Sequence, residues 1–262
     1  MRLAAAVEYN GRLFSGWQRQ AHAPSVQAAL EEALSRVADH PIEVTASGRT
    51  DAGVHAVAQV VHFDSEVERP LHGWRMGANT HLPDAVCVHW VGHVSAEFHA
   101  RYDTLDRCYR YVILNRATRP AISNGQVTLV REPLDATAMH TAAQALIGEH
   151  DFSAFRAAGC QAKHARRELI SIDVSRNGEY LVVEVVGNAF LHNMIRIIVG
   201  CLVDVGRGER DQAYPGELLR GRDRTAGSVT ALPDGLYFVG PRYAADTGVP
   251  SWRASTPCLI GW

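Results

Sequence analysis

Two strand-like runs in the second half of this chain, Leu169 to Val174 and Tyr180 to Val186, are joined only by a turn at Arg176-Asn177-Gly178. A link that short cannot cross over to make parallel strands, so the pair must be antiparallel. Other strand signals are Leu3 to Tyr9, followed by the turn signal Asn10-Gly11, then Ile42 to Ala46, Val57 to Phe63, Val86 to Val91, Cys108 to Leu114 and Gly235 to Val239. Helical periodicity alternates with them. Ser25 to Val37 has Val26, Ala29, Leu30, Ala33 and Leu34 on one face and Ser25 placed to cap it. Leu71 to Thr80, Thr137 to Ile147, Phe190 to Val205 and a short Glu217 to Arg220 read the same way, with Gly206 ending the fourth. The expected class is α+β with largely antiparallel sheet. The Pro and polar cluster at Asn115 to Pro120 suggests halves at 1–115 and 116–243, with a tail at 244–262.

Composition excludes several classes. No apolar run approaches the ~18 residues of a membrane span; the longest, Met194 to Val205, is broken by Arg196 and Asp204. The apolar stretch at the N-terminus is too short for a secretory signal, so a cytoplasmic location is expected. Cys87, Cys108, Cys160, Cys201 and Cys258 are odd in number and form no CxxC pair, which argues for buried small hydrophobes over disulfides or structural zinc. The net charge is −2, so any nucleic-acid binding must rest on a local basic face. Lys163 is the only lysine among 26 Lys and Arg, which leaves Schiff-base chemistry one candidate.

Four segments carry candidate chemistry. In Gly48-Arg49-Thr50-Asp51-Ala52-Gly53-Val54-His55, glycines flank an acid that a nearby arginine would keep ionised, as a nucleophile or base requires. An ordinary Asx turn is the structural alternative. In Arg107-Cys108-Tyr109-Arg110-Tyr111, both tyrosines share one strand face, suited to stacking on bases or to packing in a core. Phe98-His99-Ala100-Arg101-Tyr102 precedes it. In Asn188 to Arg196, helical spacing puts His192 and Arg196 on one face, and an arginine in so apolar a helix needs either a carboxylate partner or a path to the surface. Cys160 to Arg167 is the densest basic stretch, a phosphate-contacting loop or a merely solvated one. No Walker loop, GxGxxG, GxSxG or HExxH is present, and His89 with His93 is a weak metal signal, so no metal is expected.

Together these segments resemble the TruA family of tRNA pseudouridine synthases. The match runs from the first strand to Gly235-Leu236-Tyr237. It takes in Gly16-Trp17-Gln18-Arg19-Gln20, Ser25-Val26-Gln27, the GRTDAGVH segment at 48–55, Phe98 to Arg101, Arg107 to Tyr111, Asp151-Phe152-Ser153 and Asn188 to Arg196, in the family's order. The resemblance implies two RRM-like (ferredoxin-like) halves with their sheets joined across a central RNA-binding cleft, a homodimer, no cofactor, and neither DNA nor membrane as partner. It implies isomerisation of uridine to pseudouridine at tRNA positions 38, 39 and 40, in the anticodon stem-loop. By the same match Asp51 is the catalytic aspartate, Tyr109 stacks on the target base and Arg196 pairs with the aspartate. Arg49, His55, Arg101 and Leu236 fall to substrate binding.

The sequence departs from the family pattern at Tyr102, where Phe is frequent, at Asn193, where a second His is common, and at Ala165-Arg166, where Pro-Trp is frequent. The implied reaction needs no redox step. It needs an ionised carboxylate at the ribose, attacking C1′ to give an ester or removing the 2′-hydrogen to give a glycal; the residues leave both routes open. Two further classes stay open on residues alone: a non-catalytic RNA-binding module, and a hydrolase using Asp51 with His55.

Overall fold

The computed structural model describes residues 1–252, so the tail expected at 244–262 is described as far as Trp252, and Cys258 lies outside the described residues. The chain runs β1 (Arg2–Tyr9), α1 (Val26–Ala38), β2 (Thr45–Ala46), β3 (His55–Asp64), α2 (Leu71–His81) and β4 (Val86–His93). It continues through β5 (Asp106–Asn115), β6 (Thr128–Val130), α3 (Ala136–Ala143), β7 (Gly148–Asp151), β8 (Arg166–Asn177), β9 (Tyr180–Gly187), α4 (Met194–Gly206), α5 (Tyr214–Gly221) and β10 (Leu236–Arg242). The class is α+β, as expected. The compact units divide at Arg107/Cys108 and again at Leu236/Tyr237, not at Asn115. β10 is the reason: it returns to pair in parallel with β3, Tyr237 opposite His55 and Phe238 opposite Ala56, so this strand rejoins the first unit.

The first unit orders its strands β4-β1-β3, with β2 also on β3. All these pairs are antiparallel, and with α1 and α2 this is the split βαβ arrangement of ferredoxin-like folds. Ser25 caps α1 by accepting from the Ala28 N–H. β1 is buried on both faces, unlike a strand with one wet side. Phe63 meets Trp74 of α2 edge-on at 5.3 Å. Val60, with Ala4, instead packs among Phe98, Ala100 and Tyr243, a cluster that Trp90, Val94, Val249 and Trp252 cover.

The second unit orders β5-β9-β8-β7, with β6 parallel to β5. The hairpin read from Asn177-Gly178 is present, with Asn177 opposite Tyr180 and Gly178 at φ 57°. α4 begins at Met194, not Phe190, because Asn193 takes the left-handed conformation at φ 57°. His192 and Arg196 therefore do not share a helical face. Cys108 and Cys201 are buried as expected; Cys160 is half-buried and Cys87 exposed.

Candidate active site

Asp51 lies on the segment between β2 and β3, and that segment is fixed from beneath by buried polar groups. The Ser47 N–H donates to the Val60 carbonyl at 2.8 Å. Ser47 Oγ donates to Gln59 Oε1 at 2.6 Å, and Gln59 Nε2 donates to the Gly48 carbonyl at 2.7 Å. Thr50 Oγ1 and Tyr9 Oη share a hydrogen bond of 2.8 Å, and burial pushes the Tyr9 phenol's pKa up, so it stays protonated. All four of these side chains are buried. A buried polar group that loses its partner costs roughly 1–3 kcal/mol, so the network strongly favours one loop conformation.

The loop is also gripped from above. The Trp17 N–H donates to the Thr50 carbonyl at 3.0 Å. A Cβ on Gly16 (φ +100°) would sit 2.9 Å from that carbonyl oxygen and 3.2 Å from the Asp51 carbonyl carbon. Only glycine allows backbone to approach so closely in this conformation. The Gly16-Trp17 segment thereby sets the height of Asp51.

Arg49 is exposed and Asp51 partly so. His55 is 3% exposed. Its Nδ1 accepts from the Gly11 N–H at 3.2 Å and its ring stacks on Tyr237 at 4.7 Å. An imidazole that accepts at Nδ1 is neutral, with its proton on Nε2. Arg101 is exposed on the turn between β4 and β5. Arg107 ties that turn to the Asp51 loop. Its Nη2 donates to the Ser47 carbonyl at 2.8 Å and to the Arg101 carbonyl at 3.1 Å, while Nε reaches Ser47 at 3.2 Å.

Tyr109, Arg196 and Leu236 belong to the second unit. Tyr109 is 7% exposed and meets Phe190 edge-on at 5.1 Å. Tyr111, also buried, bonds Thr128 Oγ1 and the Leu232 carbonyl, whereas Arg110 pairs with Glu184 at 2.6 Å. The alternation of the two strand faces is thus as read. Arg196 stands in the first turn of α4. Within its unit Nε donates to the Ala231 carbonyl at 2.7 Å and Nη1 to Asn193 Oδ1 at 2.8 Å. The Ala231 N–H returns a bond to the Arg196 carbonyl at 3.0 Å. Leu236 is 5% exposed and follows Gly235, where a Cβ would lie 2.4 Å from the Val112 carbonyl oxygen. In the basic stretch Arg156 stitches the loop through the Cys160 and Ala162 carbonyls, Arg166 pairs with Glu149, and Lys163 is exposed.

Residues 5–103 and 142–244 match the model of the tRNA pseudouridine synthase family. The chain belongs to that family. A tRNA pseudouridine synthase A of Stenotrophomonas maltophilia strain K279a is 53% identical over 252 residues, 96% of this chain and 98% of that one. The namesake from Xanthomonas oryzae pv. oryzae strain PXO99A is 52% identical over 253 residues, again 96% and 98%. The matched stretches contain Arg49, Asp51, His55, Arg101, Arg196 and Leu236; Tyr109 falls between them. Among the described residues no group of three or more His, Cys, Asp or Glu is set to hold a metal ion, and no helix is long and apolar enough to cross a membrane.

Sequence motifs point to the loop but not to its supports. Gln59 lies outside every candidate segment, and Arg107 stands in the one suited to base stacking, yet they hold the loop and the Arg101 turn. The available signal for the first is a lone glutamine inside the apolar run Val57 to Phe63, where a buried amide must find partners.

Proposed function

We propose that this member of the pseudouridine synthase family isomerises uridine to pseudouridine in the anticodon arm of tRNA, at positions 38, 39 and 40, with Asp51 acting on the ribose of a flipped-out uridine. The observation that carries the reading is the Asp51 loop: a carboxylate in the GRTDAGVH segment, held by a buried network below and by the glycine-tight Gly16-Trp17 segment above.

The proposed chemistry needs only groups on the chain and the substrate. Along the ester route, Asp51 forms a bond to C1′ as the N1–C1′ bond breaks and its electron pair goes to the uracil. The base turns, C5 bonds to C1′, and the carboxylate leaves; the C5 proton is lost and N1 gains one. Along the glycal route, Asp51 takes the 2′-hydrogen as a proton while the same N1–C1′ bond breaks, and returns it to C2′ as C5 joins C1′, after which the C5 proton is lost and N1 gains one. Flipping the target base out costs a few kcal/mol, and stacking on the Tyr109 ring returns ~1–3 kcal/mol. Arg196 is assigned to keep the carboxylate charged. Arg49, His55, Arg101 and Leu236 are assigned to the substrate, His55 with its ring stacked on Tyr237. The chain is assigned to act as a homodimer in the cytoplasm without a cofactor, and sedimentation with and without tRNA tests the dimer.

The test uses unmodified tRNA transcripts with uridine on the 3′ side of the anticodon arm, incubated with wild type or Asp51→Asn without metal or cofactor. Carbodiimide labelling and primer extension then map pseudouridine. Product from wild type alone supports both reaction and role. Turnover by Asp51→Asn at the wild-type rate would remove Asp51 from the chemistry, and tight tRNA binding with no product from either would leave a binding module.

A further inference from the structure

We propose that Tyr102 is a stacking platform for an unpaired base of the RNA substrate, seated beside the loop that carries Asp51. The proposal rests on the functional reading above and adds a subsite to it.

Tyr102 is 73% exposed, but its ring is held. It stacks on the His99 ring at 4.1 Å with the planes 25° apart. His99 Nδ1 accepts from the backbone N–H of both Arg101 and Tyr102 at 3.2 Å, which closes the turn beneath the stack. The His99 N–H donates to Asp103 Oδ2 at 2.8 Å. Behind His99, at 4.9 Å, lies the ring of buried His62, whose Nδ1 accepts from the Ala100 N–H at 3.1 Å. The Ala100 carbonyl accepts from Tyr243 Oη and from Thr104 Oγ1. Three rings thus step outward from the core, and the last shows most of its surface to solvent.

Such a ring binds a planar partner at little further entropic cost, since its side chain is already ordered. The partner's class follows from its neighbours. The Arg101 guanidinium carbon is 5.9 Å from the Tyr102 ring centroid. An exposed aromatic ring with an exposed arginine over it fits a nucleobase with its phosphate, a pairing that tolerates any base. Position supports the assignment. One nitrogen of Arg107 donates both to the Ser47 carbonyl, at the root of the Asp51 loop, and to the Arg101 carbonyl. The platform and the proposed catalytic loop are therefore adjacent parts of one unit. A base stacked there would be a neighbour of the target, held while the target is out of the helix.

The test is a double-mutant cycle. Binding of tRNA transcripts is measured for wild type, Tyr102→Ala and Tyr102→Phe, with each anticodon-loop nucleotide made abasic in turn. Tyr102→Ala is expected to weaken binding roughly 5- to 150-fold, the worth of one stacked base, and Tyr102→Phe to stay within about twofold. One abasic position should weaken binding to wild type and leave binding to Tyr102→Ala unchanged. The proposal is overturned if Tyr102→Ala binds as wild type does, if no abasic position couples to Tyr102, or if the variant changes only self-association, which would place a second copy on the ring. Wild-type product is mapped in the same samples; its absence sinks the functional reading instead.

Discussion

At Gly16 a single hydrogen decides where the proposed catalytic carboxylate sits. Alanine there must find room 2.9 Å from the Thr50 carbonyl oxygen while holding φ at +100°, so the contact between the Gly16-Trp17 segment and the loop must open. Misplacing a reacting group by about 1 Å costs on the order of 10²-fold in rate, so Gly16→Ala is expected to lose about that much turnover at saturating tRNA. A melting temperature that collapses instead would make Gly16 a folding residue only. His62 supplies a second residue-scale prediction. Burial, with Arg2 and His99 close by, pushes its pKa down to about 4, below the ordinary histidine range. The unfolded chain therefore binds more protons here than the folded one between about pH 6.5 and 4, so this site's contribution to stability is present at neutral pH and is lost as pH falls through that window. Protonation also removes the Nδ1 lone pair that accepts from Ala100. Thermal melts at pH 7 and pH 5 should show wild type losing more stability than His62→Gln; equal losses would refute the assignment.

Elements with a full face to bury were legible in the sequence, and those defined by contacts far along the chain were not. β1, α1, α2 and the β8–β9 hairpin fall where periodicity and turn residues put them. β6 and β7, at three and four residues, are short edge pairings with too little pattern to read. The start of α4 was missed because Asn193 adopts a left-handed conformation that periodicity does not encode. The site divides the same way. The Asp51 loop was legible from its motif, but Gln59 reaches back to Gly48 and Arg107 reaches across to Ser47, contacts that no local spacing announces. The tail was unreadable for a like reason: Trp252 meets Trp90 edge-on at 5.9 Å and His89 at 5.5 Å, residues far earlier in the chain. It helps to cover the cluster of Ala4, Val60, Phe98 and Tyr243. Trp252→Ala is expected to cost about 1–2 kcal/mol, read as a melting point lower by roughly 2–8 °C. An unchanged melting point would mean that the segment only rests on the sheet.

For the whole molecule, a net charge of −2 means that tRNA is not drawn in by the chain's overall field. Attraction must come from those cations that are not already spent on the protein's own carboxylates and carbonyls. Many are spent: Arg2 pairs with Asp64, Arg19 with Glu31, Arg166 with Glu149, Arg242 with Asp106, and Arg156 and Arg176 bond backbone carbonyls. Arg49, Arg75 and Arg101 on the first unit and Arg119, Arg131, Lys163 and Arg220 on the second are exposed instead. Each phosphate neutralised adds about 0.7–0.9 to the slope of log affinity against log salt. If Arg49, Arg101 and Lys163 alone carry the electrostatic contact, tRNA affinity falls roughly 20- to 40-fold between 50 and 200 mM salt. Arg49→Ala and Arg101→Ala should each lower the slope by about one and weaken all tRNAs alike, as phosphate contacts do. Arg166→Ala should leave it nearly unchanged, because Glu149 already holds that charge. A slope that drops as far for Arg166→Ala as for Arg49→Ala would show that tRNA breaks the surface ion pairs on binding, and the count of available cations would then have to include those the folded chain keeps for itself.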